Sequence, residues 1–76
     1  MRLVPWLIER QRSLREGDRP FGRRLGVSGA FWGDVRRGES AVSMRIVLGA
    51  RRAFPADRDT IARLAMCEDE REAVPA

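Results

Sequence analysis

Arginine is the only basic side chain in this sequence, and it occurs fifteen times in 76 residues. A guanidinium stays charged at any working pH and offers five N–H donors in a planar fork, which suits phosphate and carboxylate oxygens. Arg19, Arg23, Arg36, Arg37 and Arg45 fall within or beside one stretch, Phe21-Gly22-Arg23-Arg24-Leu25-Gly26-Val27-Ser28-Gly29-Ala30-Phe31-Trp32-Gly33-Asp34-Val35-Arg36-Arg37-Gly38. Ser28-Gly29-Ala30 reads as a helix start, and a helix's unpaired first N–H groups with a Ser hydroxyl suit a phosphate oxygen. Covalent chemistry is poorly supplied. There is no His, and Cys67 is the single Cys. A disulfide framework, a His- or Cys-based zinc site and His-dependent catalysis within one chain are thereby excluded. Glu68-Asp69-Glu70 could mimic metal ligands, but a flexible tail gives them no fixed geometry. No metal, no cofactor and no enzymatic activity are expected.

The charge is uneven along the chain. Residues 1–56 hold twelve Arg against five acids, a balance of +7, and residues 57–76 hold three Arg against six acids, a balance of −3, which together make the formal +4. A basic body with an acidic tail is a frequent layout for a nucleic-acid binder. A soluble arginine-rich domain from a GC-biased genome would share that composition, so sequence order has to decide. Apolar runs are short, no segment reads as a membrane span, and the opening Met-Arg-Leu-Val-Pro-Trp lacks the apolar stretch of a signal peptide. The expected location is the cytoplasm.

The periodicity that must position these residues is helical almost throughout. Leu3, Leu7 and Leu14, with Val4 and Ile8 beside them, predict a helix over about 4–15. Asp18 is a candidate cap for a second helix that runs to about Leu25, with Phe21 and Leu25 inward and Gly26 as its left-handed stop. Ser28 caps a third helix of about 29–37, with Phe31, Trp32 and Val35 as its apolar positions and Gly38 as its end. Ser43 caps a fourth of about 44–53, with Met44, Val47 and Leu48 as its stripe. Asp57 caps a fifth of about 58–67, with Ile61, Leu64 and Ala65 inward. The fold class is all-α: a compact bundle of about five short helices, forming a domain over 1–67, with an acidic, flexible tail over 68–76. Trp6, Phe31 and Phe54 read as core or interface residues, and Cys67 as a passive, half-buried thiol.

The helix–Gly-Val-Ser–helix–Arg-Gly pattern of residues 21–38 resembles the helix-turn-helix of the phage repressor/Cro-like (XRE-type) regulators, and the five-helix layout extends the likeness over roughly residues 4–67. The resemblance implies a central helix-turn-helix in which Gly22 lets the two helices cross, Val27 plugs the corner, and Trp32 and Val35 lock the second helix onto the first. It also implies that helix three lies in the major groove of double-stranded DNA. By position, Ser28, Gly29, Ala30, Gly33 and Asp34 would face the groove, with Arg37 at the far end. Arg19, Arg23, Arg36, Arg37 and Arg45 would flank it toward phosphates. The pattern departs from the family in three places. Gly29, Ala30 and Gly33 offer no side-chain hydrogen bond to a base. The Gln common in the first turn of helix two is replaced by Asp18 or Arg19. The Glu common before the Arg-Gly stop is replaced by Arg36, which is thereby freed toward phosphate while Arg10 pairs with an acid such as Glu39.

The function expected from these readings is a sequence-specific DNA-binding transcriptional regulator of the repressor type. It would act as a homodimer, with helix five and an exposed Met66 at the contact. The alternative from another class is an antitoxin or adaptor that uses the same scaffold mainly to meet a protein partner, with the acidic tail as a docking segment.

Overall fold

The computed structural model describes residues 3–73, and the side chains of residues 3–66. Within them the chain forms α1 (Leu3–Leu14), α2 (Asp18–Leu25), α3 (Gly29–Arg36), α4 (Met44–Ala53), a single 3-10 turn (Pro55–Asp57) and α5 (Arg58–Ala73). The result is an all-α bundle of five helices, with no strand among the described residues. No helix among the described residues is long and apolar enough to cross a membrane. Helix α2 packs against both α3 and α4, and α5 closes over α4 and α1.

One apolar core joins every helix. Leu3 and Leu7 of α1, Phe21 and Leu25 of α2, Trp32 and Val35 of α3, Ile46 and Ala50 of α4, and Ile61 and Leu64 of α5 are all buried. Burying a Leu, Ile or Phe side chain contributes roughly 1.5–3 kcal/mol. The rings of Phe21 and Trp32 meet at 5.1 Å between centroids. Phe54, just past α4, stands edge-on to Trp6 at 5.7 Å and lies 6.4 Å from Phe21. Phe31 is half-buried against this core.

The turns follow local chemistry. Gly26 takes a left-handed φ of 81°, and the N–H of Val27 donates to the Gly22 carbonyl at 2.9 Å, closing the end of α2. Gly38, at φ 80°, does the same after α3, with the Glu39 N–H donating to the Asp34 carbonyl at 2.8 Å. Ser28 caps α3: its hydroxyl oxygen accepts from the Phe31 N–H at 3.0 Å.

Four local expectations are corrected by tertiary packing. Asp18 is the first residue of α2 and does not cap it. Gly17 stands at the cap, and the Asp18 carboxylate reaches Gln11 and Arg36 instead. On α4 the inward face is Ile46, Gly49 and Ala50, whereas Met44 and Leu48 are 64% and 47% exposed. The cause lies at Gly49, where a Cβ would stand 1.8 Å from the Leu25 carbonyl oxygen. Helix α4 therefore approaches α2 through its smallest residues, which turns its larger ones outward. Leu14 ends the expected α1 stripe but is 41% exposed, because the chain turns away at Arg15. Ser43 occupies the cap position of α4 without a side-chain cap bond, and its hydroxyl is buried with no partner among the described residues.

Asp57 closes the 3-10 turn just before α5. The backbone of α5 runs on to Ala73, past the expected end near residue 67. The Cys67 side chain and residues 74–76 of the expected tail lie outside the described residues.

Candidate nucleic-acid interface

Helices α2 and α3 cross closely through two glycines. A Cβ at Gly22 would meet the Ser28 carbonyl oxygen at 2.8 Å, and a Cβ at Gly29 would meet the Arg19 Cα at 2.6 Å. Both glycines are required inside the protein, so the bareness of Gly29 is a condition of the crossing and needs no external ligand to explain it. Gly33 differs: a Cβ there would meet only side-chain atoms, Arg37 Nη1 and Asp18 Oδ2, each at 3.1 Å.

Arg19, Ser28, Gly29, Ala30, Gly33, Asp34 and Arg37 converge on one open depression of about 500 Å³, with Asp18 at its edge. The capping bond uses the Phe31 N–H, so the N–H groups of Gly29 and Ala30 in the same turn are free for an outside acceptor. Seven of the ten residues expected at the interface therefore share one concave surface. Arg23, Arg36 and Arg45 do not line it.

Electrostatics separates the arginines that are free from those already engaged. Arg36 does not face phosphate. Its Nε and Nη2 donate to the two Asp18 carboxylate oxygens at 3.0 and 2.8 Å, a bidentate pair joining α3 to α2. The hydrogen bonds from Arg36, then from Gln11, hold the Asp18 carboxyl below its ordinary value. Arg37 Nη2 donates to Asp34 at 2.7 Å and to Glu39 at 3.5 Å, so the one acid on the expected reading face is neutralised. Arg10 does not pair with Glu39. Its guanidinium lies 5.1 Å from the centre of the Trp6 ring, and its Nε is buried without a partner among the described residues. Arg19, Arg23 and Arg45 are exposed, and none makes an ion pair among the described residues.

One residue of the site escaped the sequence reading. The Gln11 side chain donates from Nε2 to the Glu16 carbonyl and to Asp18 Oδ1, both at 3.1 Å, and accepts from Trp32 Nε1–H at 3.0 Å. It therefore anchors α1 to the start of α2 and to the middle of α3. The signal was present: Gln11 follows Leu3 and Leu7 at the same spacing of four, a polar residue standing on an apolar stripe.

The arrangement offers backbone donors and a hydroxyl at the first turn of α3, one uncompensated guanidinium from Arg19 at the rim, and Arg23 and Arg45 nearby in sequence. It can hold an anionic oxygen, and it presents no side chain for bidentate base contacts. No protein-family model, curated protein or solved structure matches the chain.

Proposed function

We propose that the protein is a DNA-binding regulator of the phage repressor/Cro-like helix-turn-helix type, which holds duplex DNA chiefly through its phosphates. The observation that carries this reading is the capped first turn of α3. It opens onto a solvent-facing surface beside exposed Arg19, with Arg23 and Arg45 also uncommitted. Direct base readout is weak in this reading, because Gly29, Ala30 and Gly33 carry no donors and Asp34 is held by Arg37. Discrimination then rests on the shape and deformability of the duplex. A homodimer would present two such surfaces to half-sites about one helical turn apart.

The test is binding of fluorescent duplexes from the DNA upstream of its own coding sequence, across a salt series, for the wild type and Arg19→Glu/Arg23→Glu. Arg36 is unsuited to this test because it braces α2 against α3. Each neutralised phosphate steepens the fall of log K with log salt by about 0.9. The double reversal should abolish binding, and affinity that is flat in salt overturns the reading.

The antitoxin or adaptor reading has one specific observation in its favour. The expected reading face is concave at Gly29, Ala30 and Gly33, a shape that accepts a partner's side chain more readily than it projects into a groove. This reading can coexist with operator binding, and it expects a protein partner that is lost on deletion of residues 68–76 while DNA binding is spared.

A further inference from the structure

The outer face of α4 forms a second, unrelated surface. Met44 and Leu48 stand one turn apart and exposed. Leu48 continues into a groove of about 500 Å³ lined by Arg51, Arg52, Pro55 and Arg58, where the end of α4 meets the start of α5. The groove combines an apolar floor with three guanidinium groups. Among the described residues none of the three makes an ion pair, and Arg51 Nε is buried there without a hydrogen-bond acceptor. A buried donor left unmet favours a ligand that brings an acceptor. Pairing of this groove with its own copy across a twofold axis would set Arg against Arg, so the occupant must be acidic with an apolar anchor.

The chain contains one segment of that description. Glu68, Asp69, Glu70 and Glu72 stand against the single Arg71. They follow Met66, which is 64% exposed on α5. Asp69 and Glu70 lie three and four residues beyond Met66 on the same helix, the spacing that shares one face. The groove cannot take this segment from its own chain. Arg58 opens α5, and Glu70 lies twelve residues further along it, about 18 Å of helical rise away from the groove.

We infer that the groove of Leu48, Arg51, Arg52 and Arg58 receives the acidic end of α5, anchored by Met66, from a second copy of this chain, and that two copies exchange these segments reciprocally. The inference rests on the self-association in the proposed function and requires no DNA. Reciprocal exchange about a twofold axis makes the contact isologous, so it closes at a dimer rather than passing head to tail into a chain of copies.

The experiment is sedimentation velocity without DNA on three full-length chains. The first is the wild type, the second carries Arg52→Glu/Arg58→Glu, and the third carries Asp69→Arg/Glu70→Arg, with circular dichroism to verify folding of each. The wild type should be a salt-sensitive dimer, and each variant alone should dimerise at least tenfold more weakly. An equimolar mixture of the two variants should recover the dimer, because both exchanged contacts are then again of opposite sign. A monomeric wild type, a dimer indifferent to either reversal, or a mixture that stays monomeric overturns the inference. Failure of DNA binding with the charge-swapped recovery intact would remove the DNA reading alone, and DNA binding by a chain without that recovery would remove this one alone.

Discussion

At Gln11 a single amide ties three helices together, and its partner at Trp32 is wholly buried. Replacing Gln11 by Ala leaves the indole N–H without an acceptor and frees Asp18 from one of its donors. Stranding a buried donor costs about 1–3 kcal/mol. Chemical denaturation of Gln11→Ala should therefore show a loss near 2 kcal/mol, far above that of an exposed polar-to-Ala change. Asp18 gives a second measurable consequence. Its folded carboxyl lies below its ordinary value of 3.8, because Arg36 and then Gln11 donate to the ionised form. The stabilisation from ionised Asp18 is therefore complete above about 3.8 and is lost as pH falls through the lower folded value. Thermal melts between pH 6 and pH 2 should show a steeper acid decline for the wild type than for Asp18→Asn. Glu16, similarly depressed by hydrogen bonds from Arg24, supplies the acid decline the two share. Equal slopes would show that the Asp18–Arg36 pair is not made in solution.

Among the elements, α4 shows how small residues decide a helix's orientation. Periodicity marks two stripes on it, one of Met44, Val47 and Leu48 and one of Ile46, Gly49 and Ala50. Hydrophobic size favours the first, yet the second is buried. Gly weighs little on a transfer scale, but only a residue without a Cβ at position 49 admits the backbone of Leu25 at contact distance. Gly49→Ala should thus force α4 off α2 and cost about 3 kcal/mol or more, a thermal shift above about 10 °C in a domain this small. Gly33→Ala makes the contrast. Its Cβ would meet only the ends of the Arg37 and Asp18 side chains, and Ala favours a helix over Gly by about 1 kcal/mol. That variant should fold with near wild-type stability while shallowing the depression on α3. Calorimetry of the pair distinguishes a glycine needed by the fold from one that leaves its surface open.

On the scale of the whole molecule, nine of the fifteen arginines fall into three groups with different work. Arg24, Arg36 and Arg37 pair with acids of the same chain at the surface of the bundle. Arg19, Arg23 and Arg45 remain for a polyanion in the proposed function, and Arg51, Arg52 and Arg58 form the groove on α4. If two copies hold DNA together, Arg52→Glu/Arg58→Glu should separate them and roughly halve the slope of log K against log salt, leaving the residual binding of one copy. Arg19→Ala/Arg23→Ala should instead lower the slope by about 1 for each phosphate contact removed. Titrations of both variants at matched salt measure the two effects separately.

Much of the architecture was legible in the chain because it depends on neighbours in sequence. Helical periodicity, the glycine stops at 26 and 38 and the Ser28 cap each act over four or five residues, and they set the all-α class and the α2–α3 turn. Contacts across the fold were not legible in this way. Arg36 and Asp18 are eighteen residues apart, and nothing local distinguishes Arg36 from Arg23. The choice between an arginine bound to a carboxylate and one facing solvent is made by where the helices bring the few acids. Likewise Gly29 read as a bare position for a ligand until the crossing of α2 showed that its missing side chain is filled by Arg19 backbone. Sequence alone determined which charges and glycine stops the molecule possesses. Only the tertiary structure decided which of those charges remain free, because ion pairing depends on distances that close when the core does.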